Sequence, residues 1–165
     1  MIEVTDVSAH PALLAAITND IPNTVKLLTS PHPIHRYTCL VHVFDFTEKP
    51  AYIEIARWGF NIGYASPDFA HWLIDHGFLK ELSLEAVQEG DMVFYFDPQG
   101  RLKHAGLMIS KDRVLSKWGT GHLFEHQLNE VPESYGNTKR FYSRMECDGA
   151  LAHFKEYVRG RGMLI

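Results

Sequence analysis

The chain has 165 residues, of which 45% are hydrophobic and 22% are charged, and its formal net charge is −4. This length supports one sizeable core rather than two, and the acidic balance leaves no basic face for nucleic acid. No apolar run approaches the roughly 18 residues that a membrane-spanning helix needs. The two cysteines are too few for a disulfide framework and the amino terminus lacks a secretory-signal layout, so we expect a cytoplasmic protein.

The first 36 residues are predicted to be a lead-in to a single domain over residues 37–165. Ser8 is placed to cap a short helix over the apolar residues that follow it. Three prolines then interrupt regular structure between this helix and Cys39. The domain is therefore expected to begin after an irregular arm.

Helices are predicted for the first half of the domain. Residues 39–46 fit a strand with period two and a short helix with period 3.6, and periodicity does not separate the two. The segment from Pro50 to Gly59 is predicted to be a helix that begins at proline and ends at glycine. The clearest helix follows Ser66, which is its expected cap, and ends at Gly77.

The second half of the domain changes to strand patterns separated by turn residues. Four strands are predicted in residues 92–96, 102–109, 113–118 and 139–145, and a closing helix in residues 148–162. Helices followed by an antiparallel meander indicate an α+β fold.

The segment over residues 116–136 is predicted to be a connector rich in glycine, aromatic and polar residues. One interpretation makes it a wall of the active-site cleft, with Trp118 and His126 near the substrate. The alternative is an ordered surface loop without a role in binding.

Cys39 and His104 are the residues that fit thiol chemistry best. A thiolate is the reactive form of cysteine, and a nearby imidazole can stabilise it near neutral pH. If Cys39 begins a helix, the unpaired backbone N–H groups there also favour a negative sulfur. Each residue has a structural alternative, since free cysteines and strand histidines are often buried core residues. Cys147 is the weaker nucleophile because acidic residues flank it.

A catalytic imidazole also needs a partner on its other ring nitrogen. A three-residue loop over residues 110–112 would pair Gly106 with Ser116, which would then share a face with His104. A two-residue loop would instead bring Lys117 to that face. Ser116 is the predicted partner, since a hydroxyl accepts from imidazole and an ammonium cannot, and His126 is the fallback.

Three short motifs resemble those of the NlpC-type, papain-like cysteine hydrolases. They are Tyr37-Thr38-Cys39, the run from Glu89 to Phe94 with Gly90-Asp91 before an apolar strand, and His104-Ala105-Gly106-Leu107 at the opening of a strand. The resemblance covers residues 37–142.

This resemblance implies a papain-like α+β fold in which Cys39 opens a helix packed on the sheet that carries His104. It implies attack of Cys39 on an amide carbonyl, proton transfer by His104, orientation by Ser116 and substrate contact by Tyr37. The substrate would be a peptide or another amide, and no cofactor is required. Members that cleave the cell wall have Asp-Cys-Ser-Gly, where this chain has Thr38-Cys39-Leu40-Val41.

Three further functions stay open at this point. The same thioester chemistry would serve an acyltransferase or a deamidase. A non-catalytic binding domain of the same fold is favoured by the missing Asp-Cys-Ser-Gly run. The third is a metal-binding protein that uses its histidines, which is disfavoured because the pairs His32 and His35, and His122 and His126, lack any further ligand motif. The oligomeric state is not encoded in any pattern of the sequence.

Overall fold

The computed structural model describes residues 7–20, 22–57 and 64–162. These ranges contain five α-helices and one seven-stranded sheet. The helices are α1 (His10–Asp20), α2 (Cys39–Val43), α3 (Pro50–Ala56), α4 (Pro67–Asp75) and α5 (Cys147–Gly160). The strands are β1 (Lys26–Leu28), β2 (Glu81–Leu82), β3 (Met92–Phe96), β4 (Leu102–Met108), β5 (Arg113–Lys117), β6 (Leu123–Gln127) and β7 (Thr138–Tyr142).

The helices begin and end largely where turn residues predict. Cys39 is the first residue of α2, which settles residues 39–43 as a helix. In α4, Pro67 occupies the first turn and Gly77 follows the end with a φ of +71°. Ser8 lies in a 3-10 turn over residues 7–9 rather than at the cap of α1. Gly59, the predicted end of α3, lies outside the described residues.

The strands form one antiparallel sheet in the order β1-β6-β5-β4-β3-β7-β2. The predicted α+β class is therefore confirmed. The four predicted strands are all present, as β3, β4, β5 and β7. The sheet also contains β1, β2 and β6, which were not predicted. Strand β1 belongs to the segment predicted as a lead-in. The sheet therefore includes residues that precede the predicted domain boundary after residue 36. Strand β6 lies inside the segment predicted as a connector, so that prediction was wrong.

Each face of the sheet supports its own hydrophobic cluster. Phe94 of β3 packs in the larger cluster, together with Leu40 of α2 and residues of α3, α4 and α5. Val93 and Tyr95 pack in a smaller cluster on the opposite face, with Val114. This division follows from the alternation of side chains along a strand. None of the helices in the described ranges combines the length and apolar content that crossing a bilayer requires.

Gly106 is the position at which β4 and β5 approach too closely for a side chain. A Cβ added there would lie 2.4 Å from Cγ1 of Val114 and 3.0 Å from Cβ of Ser116. Gly106→Ala should therefore lower the free energy of unfolding by about 1–3 kcal/mol. Urea denaturation monitored by circular dichroism would measure this loss.

The matched control is Gly149→Ala in α5, where nothing lies within 4 Å of the added Cβ. This change should stabilise the protein by up to about 1 kcal/mol, because alanine is the better helix former. Equal unfolding midpoints for the two variants would contradict the close approach at Gly106.

Candidate functional site

The Cys39 sulfur lies at the start of helix α2, where the helix packs on β4 and β5. Thr38 precedes it in an extended conformation, and the first helical bond runs from the His42 N–H to the Thr38 carbonyl at 3.0 Å. The N–H groups of a first helical turn have no partner within the helix. Here the backbone of Ala105, Leu40 and Cys39 acts on the sulfur and opposes the rise that burial causes in the pKa of the thiol.

Cys39 and His104 line the same cavity, which has a volume of about 260 Å³. Its walls come from residues 38–40, 64–67 and 102–104, with Gly119. A larger groove of about 670 Å³ lies beside it and shares Lys103, but neither Cys39 nor His104 lines that groove. The smaller cavity is therefore the candidate active site, because it alone of the two contains a nucleophile and a base.

The charge state of Cys39 is set by opposing effects. Burial of the thiol raises its pKa above the usual value, and this is the largest effect. The backbone hydrogen bonds from Ala105, Leu40 and Cys39, and then the charge of Lys117, lower the pKa in opposition. The resting residue is therefore a thiol held among groups that favour the thiolate.

A β-bulge in β4 determines which way His104 faces. Tyr95 pairs with His104, but the next residue, Phe96, pairs with Leu102, so Lys103 is an extra residue. Leu102 faces the helices, and without this bulge simple alternation would direct His104 there as well. Because of the bulge, His104 shares the face of Tyr95, opposite the face on which α2 packs.

The His104 imidazole is buried and neutral. It is 1% exposed, and its ring stacks on Tyr135 with the centroids 4.1 Å apart. Burial, followed by the charges of His126 and His42, holds its pKa well below the usual value. Nε2 of His104 is buried and has no hydrogen-bond partner in the part of the chain that the structure describes. A neutral imidazole with a free nitrogen can accept a proton, but it cannot serve as a counter-ion.

No hydrogen bond joins Cys39 to His104 or His104 to Ser116 among the described residues. The predicted register is present, since Gly106 pairs with Ser116. The Ser116 hydroxyl, however, contacts Nε2 of His126 at 2.7 Å and accepts from Nε1 of Trp118 at 3.1 Å. The structure thus brings Ser116 to the predicted face but engages it with His126, the fallback residue.

The three predicted substrate-binding residues are not among those lining the cavity. Tyr37 is 1% exposed, and its hydroxyl lies 2.5 Å from Oγ of Ser30. His126 is fully buried, and its second ring nitrogen contacts the Gln127 carbonyl at 2.7 Å. Their polar atoms are satisfied inside the protein, so the geometry supports structural roles for them. Trp118 is half-buried, and its indole nitrogen is committed to Ser116.

Sequence reasoning missed Tyr64, and it considered Lys117 only as an alternative partner for His104. The charges of Cys39 and Lys117 shift each other's pKa. Tyr64, in the cavity wall, hydrogen-bonds Thr38, and burial and then the charge of Cys39 raise its pKa. Alternation along the strand places Ser116 beside Gly106 and Lys117 on the opposite, helical face. This alternation could have predicted that Lys117 lies on the side of Cys39. The other cysteine, Cys147, donates to the Asp45 carbonyl at 3.3 Å, and both cysteines are free thiols.

Within the described part of the chain, no group of three or more His, Cys, Asp or Glu side chains is arranged to hold a metal ion.

The comparisons with known proteins give one match. No curated protein and no solved structure matches the chain. The family model described as Domain of unknown function (DUF7689) matches residues 34–143, which include α2, the whole of β3 to β6, and the cavity that Cys39 and His104 share. Because this match covers most of the chain, the protein belongs to the DUF7689 family.

Proposed function

We propose that the protein is a cysteine hydrolase that acts on an amide bond, with Cys39 as the nucleophile and His104 as the general base. The observation that carries the proposal is the sulfur at the head of α2 in a cavity that His104 also lines. The short motifs around both residues support it, because they resemble those of NlpC-type, papain-like enzymes.

The proposed reaction follows thioester chemistry. In this proposal the Cys39 sulfur attacks the amide carbonyl, and its proton passes to the imidazole of His104, a residue that also lines the cavity. His104 then returns that proton to the leaving amine, and water hydrolyses the thioester. The backbone at Leu40 and Ala105 already favours a negative charge on the sulfur, and in this proposal its N–H groups stabilise the oxyanion.

The test is formation of an acyl-enzyme on Cys39. The Cys147→Ser protein, treated with p-nitrophenyl acetate at neutral pH, should release a burst of p-nitrophenol that matches the enzyme concentration. Peptide mass spectrometry should locate the acetyl group on Cys39, and Cys39→Ser should remove both signals. Acetylation of Cys39 no faster than that of Cys147 in the unmodified chain would contradict the proposal.

Discharge of the thioester separates hydrolysis from acyl transfer. Added glycinamide should leave the discharge rate unchanged if water is the acceptor, and should accelerate it if the protein is an acyltransferase.

A binding domain of the same fold is the second candidate function. It is favoured by the Ser116 hydroxyl, which is engaged by His126 instead of orienting His104. A protein of this kind would bind an amide-containing ligand in the cavity without forming any covalent intermediate.

A further inference from the structure

Lys117 is a buried cation that has no carboxylate partner among the described residues. The residue is 0% exposed, at the end of β5. Its ammonium donates to the Gly121 carbonyl and lies 4.6 Å from the centroid of the Tyr37 ring. None of the ion pairs formed by the described residues includes Lys117. A buried charge that lacks a counter-ion is costly, so an anion at this position would be strongly favoured.

The strand register places Lys117 on the sheet face that also carries the nucleophile. Ser116 pairs with Gly106 on the face of His104, so the next residue, Lys117, projects from the other face. Helix α2 packs there, against β4 and β5. Tyr37, whose ring lies beneath the ammonium, is two residues ahead of Cys39. The start of α2, with Cys39, therefore lies on the same side of the sheet as the Lys117 side chain.

We propose that Lys117 is the electrostatic partner that stabilises the Cys39 thiolate, in place of an imidazolium. This inference rests on the proposed function, since it concerns the charge on the same sulfur. His104 acts only as a proton acceptor, and Lys117 holds the positive charge throughout the attack.

The electrostatics of the neighbouring groups agree with this division of roles. Burial lowers the pKa of Lys117 to about 8, and the charge of Cys39 opposes that lowering. On α2, burial and the charge of Lys117 lower the pKa of His42 to about 4, so His42 is neutral at pH 7. The remaining titratable groups that sense the charge of Cys39 are Tyr64 and Tyr135, whose pKa values burial raises. Within the described ranges, Lys117 is thus the cation that acts on the sulfur.

The experiment is the pH profile of Cys39 alkylation by iodoacetamide in the Cys147→Ser protein. Lys117→Met should raise the midpoint by about one pH unit and slow alkylation at pH 7 about tenfold. Lys117→Arg keeps the charge and should retain the original midpoint. Equal midpoints for Lys117→Met and the parent, or equal shifts for Lys117→Met and Lys117→Arg, would overturn the inference.

A second measurement covers the case in which Lys117→Met does not fold. NMR of 13C-labelled lysine side chains would give the pKa of Lys117 in the Cys147→Ser parent and after the further change Cys39→Ser. Loss of the thiolate should lower that pKa, and an unchanged value would count against the partnership.

The two proposals fail in different ways. A shifted midpoint in a protein that forms no acyl-enzyme would retain the role of Lys117 and overturn the hydrolase. An acyl-enzyme with an unshifted midpoint would retain the hydrolase and overturn the role of Lys117.

Discussion

His104→Ala should slow acylation of Cys39 by p-nitrophenyl acetate by about two to four orders of magnitude, the usual contribution of a general base. The physical reason is that His104 lines the cavity together with Cys39, and its buried Nε2 has no hydrogen-bond partner among the described residues. Stopped-flow measurement of the p-nitrophenol burst would give the rate. Because burial holds the pKa of His104 well below its usual value, the acid limb of the profile should lie below pH ~6.5.

The control for this prediction is His104→Gln, which keeps polarity and much of the side-chain volume but does not take up a proton. It should be as slow as His104→Ala, while the unfolding midpoints of the two variants should differ because alanine leaves a void beside Tyr135. Full acylation activity in His104→Gln would show that the imidazole is not the base.

Gly136→Ala should cost the fold about 3 kcal/mol or more, since a forbidden backbone conformation and a backbone clash coincide there. Gly136 has a φ of +89° and a ψ of 160°, and an added Cβ would lie 2.3 Å from the Phe96 carbonyl oxygen. A backbone oxygen cannot rotate away as a side chain can. The change should also displace Tyr135 from His104, and urea denaturation would measure the loss.

Gly100→Ala is the matched control, because φ is +76° there but nothing lies within 4 Å of the added Cβ. It should cost only the backbone strain, about 1 kcal/mol. If the two variants unfold at the same denaturant concentration, the close packing of residue 136 against Phe96 is not a feature of the folded protein.

Much of the fold could be predicted from local pattern. Pro67 and Gly77 bracket α4, and the apolar runs of β3 and β4 are strands because their side chains fill both faces of a buried sheet. Strand β6 escaped prediction because its polar residues, Glu125 and His126, resemble those of a connector. It forms because its neighbours β1 and β5 satisfy its backbone hydrogen bonds, and those pairings are long-range.

In the candidate site too, some features follow from local sequence and others from long-range contacts. The sequence alone was sufficient to single out Cys39 and His104, since the chemistry of thiol and imidazole belongs to the residue types. It also placed Ser116 correctly on the face of His104, because a three-residue turn and strict alternation decide that register.

Only the tertiary structure decided which groups surround the sulfur. The bulge at Lys103 turns His104 to the face opposite α2, and His126 engages Ser116. Burial then makes the imidazole neutral, and it lowers the pKa of Lys117 only to about 8, so Lys117 stays charged on the helical face at pH 7. A bulge and a desolvated charge both arise from contacts between distant segments, so no local pattern of residues encodes them.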